Sequence, residues 1–131
     1  MTQQGHFGPD DNNVLYSSMA PTLNVTSDGG RMEFDSEAAW EQAICIYRKE
    51  GGEYTQVVEK GTYGRDLNPW NDIPKGEYLI TGWHKTVHDS ARKPWIQSPV
   101  QTTVNDDSTT FGFEDTKDAD FNDIRATYYK P

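Results

Sequence analysis

At 131 residues, with 34% hydrophobic and 12% aromatic side chains, the chain is long enough for one core and too apolar to be disordered. A formal net charge of -9 excludes a nucleic-acid backbone or an anionic membrane face as first-choice partners, unless cations mediate. No apolar run approaches the roughly 18 to 20 residues of a membrane-spanning helix, and the first residues lack the basic and apolar segments of a signal peptide.

Residues 1–13 carry Gly5, Gly8, Pro9, Asp10 and Asp11 without apolar periodicity, which predicts a flexible N-terminal arm ahead of the first strand. From residue 14 to 131 the pattern is short apolar runs broken by Gly, Pro, Asn and Asp. It predicts strands over 14–17, 22–26, 31–34, 42–48, 54–59, 77–85, 95–104, 108–113 and 120–129. A helical turn is expected over 36–42, where Ser36 can cap and Glu37, Ala38 and Ala39 favour helix. Gly51-Gly52 supplies the positive backbone angles of a hairpin between two β-rich runs. Pro74-Lys75-Gly76 is a second turn; it launches Tyr78 to Trp83, a central-strand composition apolar on both faces. Asn105-Asp106-Asp107 makes a third. Eight to nine strands at this spacing predict a single all-β domain, an antiparallel, jelly-roll-like β-sandwich. Cys45, inside the apolar run from Ala43 to Tyr47, reads as a small buried hydrophobe.

The most specific chemistry lies between Phe111 and Asp123. Glu114, Asp115, Asp118, Asp120 and Asp123 fall within ten residues, with Lys117 the only local compensation. Carboxylates so crowded repel one another unless a multivalent cation sits among them. Asp118, Asp120 and Asn122 are spaced i, i+2 and i+4, so a looping backbone turns their side-chain oxygens onto one hard ion. Calcium takes six to eight oxygens, which these carboxylates, Asn122, a backbone carbonyl and water supply. Phe111 and Phe113 before the loop, and Ile124, Ala126 and Tyr128 after it, alternate as buried faces of two flanking strands. An EF-hand does not fit: counting from Asp118, the sixth position is Asp123 instead of Gly and the twelfth is Tyr129 instead of Glu.

The segment Phe113-Glu114-Asp115, Asp118, then Asp120-Phe121-Asn122-Asp123, resembles the C-terminal motif of a bacterial family of calcium-associated β-sandwich domains. That motif has the form F-E-D, a short acidic linker, D-x-D-[FY]-N-D and a strand, and the likeness covers about twenty residues. The resemblance implies calcium ligation by Glu114, Asp115, Asp118, Asp120 and Asp123, with Asn122 ordering the turn. It also implies a secreted or cell-surface setting, in some cases adhesin-like.

Trp70, in the polar run from Asp66 to Asp72, and Trp95, after Lys93-Pro94, read as rings carried by loops; His88 fills the loop between. Such rings stack on the apolar face of a sugar or anchor a protein partner. His84 and His88 are four apart but sit in loop-like sequence, and Asp89 is the only near candidate for the third ligand that zinc needs. No nucleophile-elbow, zincin, Walker or Rossmann pattern is present. The leading expectation is a non-enzymatic, calcium-stabilised module, lectin-like or adhesin-like, whose partner is a glycan or cell-surface protein docking on Trp70, His88 and Trp95. Two alternatives stand beside it: a small β-rich toxin, effector or pore-forming subunit, and a polysaccharide hydrolase needing two carboxylates roughly 5 to 10 Å apart.

Overall fold

The computed structural model describes residues 2–10, 13–37, 41–62, 64–85, 95–114 and 123–131, with side chains from residue 6 onward. The described residues form twelve strands: β1 (Thr2–Phe7), β2 (Asn13–Tyr16), β3 (Thr22–Val25), β4 (Gly30–Ser36), β5 (Gln42–Glu50), β6 (Glu53–Gly61), β7 (Trp70–Ile73), β8 (Gly76–His84), β9 (Ile96–Gln97), β10 (Val100–Val104), β11 (Ser108–Phe113) and β12 (Ile124–Tyr129). A 3-10 turn, Ser17–Met19, follows β2.

Two antiparallel sheets make the sandwich. One runs β10-β11-β12-β4-β7; the other runs β3-β8-β5-β6, with β9 paired to β8. Alternate residues of both sheets meet between them: Met32, Phe34, Phe111, Phe113, Ile124 and Tyr128 from the first pack on Ile44, Ile46, Tyr78 and Ile80 from the second. Burying a side chain such as Ile46, which is fully enclosed, contributes about 1.5 to 3 kcal/mol. The predicted all-β sandwich and the predicted inward faces of β11 and β12 are thus what the chain forms.

The second sheet is buried on its outer side as well. Ala43, Cys45, Tyr47, Leu79 and Trp83 point away from the first core and pack under Phe7 and Leu15 of the β1-β2 hairpin, together with Ala20 and Trp95. This third layer accounts for the continuous burial from Gln42 to Tyr47 in β5 and from Tyr78 to His84 in β8, the second of which its two-faced apolar composition anticipates. It also corrects the expectation that the first strand starts only after a loose arm. Thr2–Phe7 is itself a strand, held because Phe7 meets Tyr47 edge-on at 5.1 Å and the Gly8 N–H donates to the Tyr47 hydroxyl at 2.6 Å. Tyr47→Phe, which leaves that buried N–H without its acceptor, is expected to cost about 1 to 2 kcal/mol in urea unfolding. An unchanged midpoint would show that the contact does not hold the hairpin.

The Gly51-Gly52 hairpin forms as predicted, with φ of 59° and 89° at its two central residues and Glu50 paired to Glu53. Asn105 N–H closes the β10-β11 turn on Ser108 O at 2.8 Å. The expected helical turn over 36–42 centres on 38–40, which lie outside the described residues; of its ends, Ser36 closes β4 and Gln42 opens β5. The Ser36 hydroxyl donates to Asp123 O at 2.6 Å.

Candidate functional site

The acidic connection between β11 and β12 leaves from neighbouring strand positions, because Phe113 and Ile124 are directly paired. Its two ends are fastened by main-chain groups. Glu114 N–H donates to Pro99 O at 3.2 Å, and Asp123 N–H donates to Phe113 O at 3.1 Å. Asp123 O in turn accepts from Ser36 Oγ at 2.6 Å and from Glu37 N–H at 3.2 Å. Three elements therefore grip the root: the end of β4, the segment entering β10, and the loop's own flanking strands.

Of the six predicted calcium ligands, two belong to the described residues. Glu114 is 3% exposed and Asp123 is half-buried, both at the root. Asp115, Asp118, Asp120 and Asn122 lie outside the described residues. Among the described residues alone, no cluster of three or more His, Cys, Asp or Glu side chains forms a metal site. The donor chemistry of the whole segment is oxygen only, which fits a hard cation such as calcium and disfavours zinc or copper. A carboxylate as buried as Glu114 requires hydrogen bonds or opposite charge around it.

His84, at the end of β8, lies beside this root and was not singled out by sequence for that position. Its Nδ1 is 2.7 Å from Ser98 Oγ, across fourteen residues of chain. Burial holds the imidazole below its ordinary value, and the negative charge of Asp123 acts in the opposite sense. The folded chain thus takes up this proton less readily than the unfolded chain, where the group titrates near 6.5. Its contribution to stability is full above that value and is lost as pH falls toward the lower folded-state value. With chelator present, the melting temperature is expected to fall between pH 7 and pH 5, and His84→Gln to flatten that fall. Equal slopes for both proteins would assign the effect to other groups.

The predicted aromatic docking residues are built into the protein. Trp70 opens β7 and is half-buried, packed on the core and edge-on to Tyr78 at 5.5 Å, so the expectation of a ring carried on a loop is corrected. Trp95 is 8% exposed in the outer core, with the Arg65 guanidinium 5.0 Å and the Lys85 ammonium 4.8 Å from its ring centre. A ring so enclosed offers no open face for stacking. His88 lies outside the described residues. Cys45 is fully buried, as expected, and burial raises its thiol well above the ordinary range, which keeps it protonated and unreactive. No helix among the described residues is long and apolar enough to cross a membrane.

No known family model matches the chain, and no curated protein matches it in sequence. Solved structures do. The chain shares its fold with bacterial lectins. The C-terminal domain of the BC2L-C lectin from Burkholderia cenocepacia matches with a TM-score of 0.57 and 16% identity, over 100% of this chain and 98% of that one. The Chromobacterium violaceum lectin CV2L, solved in complex with α-methyl-fucoside, matches at 0.56 and 17%, over 86% and 96%. The high-affinity mannose-binding lectin of Ralstonia solanacearum matches at 0.54 and 19%, over 86% and 96%. At such identities the likeness is one of fold.

Proposed function

We propose that the chain is a non-enzymatic, calcium-dependent carbohydrate-binding module that works outside the cell or at its surface. The observation that carries this reading is the root of the acidic loop: main-chain bonds from three elements hold its two ends together, with the Glu114 carboxylate buried there and Asp123 beside it. An oxygen-only donor set on so fixed a base is what a hard cation of six to eight ligands needs. The fold shared with a lectin solved in complex with α-methyl-fucoside and with a mannose-binding lectin supports a sugar as the partner.

With Trp70 and Trp95 packed into the protein, the sugar is assigned to the acidic loop in place of an aromatic platform. Vicinal hydroxyls are suited to complete a calcium shell that side chains leave unfilled. An extracellular setting agrees with this reading, because millimolar calcium there fills even a weak site.

A glycan array probed in 1 mM calcium and again in excess chelator tests the reading. Glycans retained only with calcium, and lost on Glu114→Gln, are expected. A protein that retains nothing with calcium, or the same glycans with and without it, would reject the calcium-dependent module.

A further inference from the structure

A cleft of about 540 Å³ opens on the outer side of the second sheet, where the N-terminal hairpin meets β6; His6, Pro9, Tyr47, Tyr54, Gln56 and Glu59 line it. We infer that this cleft is a second binding site, for a neutral sugar ring, separate from the acidic loop and independent of calcium.

A β-bulge shapes the site. Ile46 pairs with Val58 and Tyr47 pairs with Gln56, so Val57 is the extra residue in β6. Across an unbroken strand, Gln56 and Glu59, three apart, would point to opposite faces. The bulge shifts the alternation by one, which sends Val58 into the inner core and leaves Tyr54, Gln56 and Glu59 on the outer face with Tyr47.

The polar groups thus gathered are already held in place. Gln56 Nε2 donates to Glu59 Oε1 at 3.2 Å, and Arg65 Nε donates to Glu59 Oε2 at 2.6 Å. Arg65 is itself fixed by Glu41, 2.9 Å from its Nη1, and lies over Trp95. Phe7 steadies the Tyr54 ring, edge-on at 6.3 Å. Pockets of about 300 to 1,000 Å³ with apolar walls and a few oriented polar groups are the usual form of small-molecule sites.

Charge selects the class of occupant. Arg65, shared between Glu59 and Glu41, only partly offsets Glu59, so the cleft is weakly negative and holds a lone cation loosely. An anion meets both Glu59 and the chain's net charge of -9. What remains is a ligand with hydroxyls for the amide, carboxylate and imidazole and an apolar face for the tyrosine ring, which describes a pyranose. Two sites on one chain would let a single molecule bridge two glycans, with the gain in avidity that linkage brings.

The test is the same glycan array run entirely in chelator, with wild type, Gln56→Ala and Glu114→Gln, each first shown by thermal melt to be folded. Retention of at least one glycan by wild type and Glu114→Gln is expected, with binding about tenfold weaker in Gln56→Ala. In titrations with that glycan, backbone amide resonances of residues 54–59 are expected to shift and those of 123–129 to stay. No glycan retained in chelator, or retained glycans bound equally by Gln56→Ala, overturns the second site. If the array in 1 mM calcium adds no glycan to those held in chelator, the acidic loop is rejected and this site still stands.

Discussion

Asp120→Asn is expected to raise the melting temperature in chelator and to lower it in millimolar calcium. Without a cation, Glu114, Asp115, Asp118, Asp120 and Asp123 share one short connection whose ends are held side by side. Removing one charge relieves repulsion worth a few tenths of a kcal/mol to about 1 kcal/mol, given solvent screening. With calcium a hundredfold above its dissociation constant, binding to the folded chain alone adds about 2.7 kcal/mol. For a domain of this size that is roughly 10 °C. A neutral asparagine keeps the shape and loses a charged ligand, so most of that increment disappears. Scanning calorimetry of both proteins in both buffers reads the two signs directly. A wild-type melt indifferent to calcium, or a variant shifted the same way in both buffers, would remove the cation from the acidic loop.

Much of this arrangement is written locally. Phe111 and Phe113 alternate with small and polar residues, as do Ile124, Ala126 and Tyr128, and alternation alone assigns their faces and hence the ends of the acidic loop. The Gly51-Gly52 pair is similarly explicit, since two successive positive φ angles favour glycine. Where local pattern and long-range contact disagree, the contact decides. Thr2–Phe7 has the composition of an arm, and it is a strand because Phe7 and Gly8 find Tyr47, about forty residues on. Trp70–Ile73 lies between prolines and carries Asp72 at a φ of 54°, yet it pairs with β4 across a bulge.

The aromatic residues show the same limit. Trp95 follows a polar, proline-containing stretch, and nothing near it announces that Arg65, thirty residues earlier, covers its ring. The outer cleft was equally hidden, because Gln56 and Glu59 come to one face only through a bulge that the run from Glu53 to Gly61 does not signal. The crowding of carboxylates in the loop is legible because it is compressed into ten consecutive residues. The cleft is assembled from residues 6 to 59 and exists only in the fold.

Gly82→Ala is expected to destabilise the protein by about 3 kcal/mol and to weaken the calcium response with it. Gly82 lies on β8 facing the inner core, and a Cβ there would sit 2.3 Å from both Cγ and Cδ1 of Phe113. Those ring atoms are close to the Phe113 backbone, the side chain is wholly enclosed, and Ser98 N–H holds Gly82 O at 2.8 Å, so neither partner yields readily. Phe113 is also the last residue before Glu114. A ring pushed out of the glycine notch displaces the root where Glu114 meets Pro99 O and Asp123 meets Phe113 O. Phe113→Ala alone is expected to cost about 3 to 5 kcal/mol through the cavity it leaves. The double variant Gly82→Ala/Phe113→Ala is expected to cost at least about 1 kcal/mol less than the sum, since the added methyl enters the space vacated by the ring. Urea unfolding of the four proteins, repeated with and without calcium, measures both the coupling and the response. Strictly additive costs would show that the notch does not hold the ring, and a full calcium increment in Gly82→Ala would show that it does not position the loop.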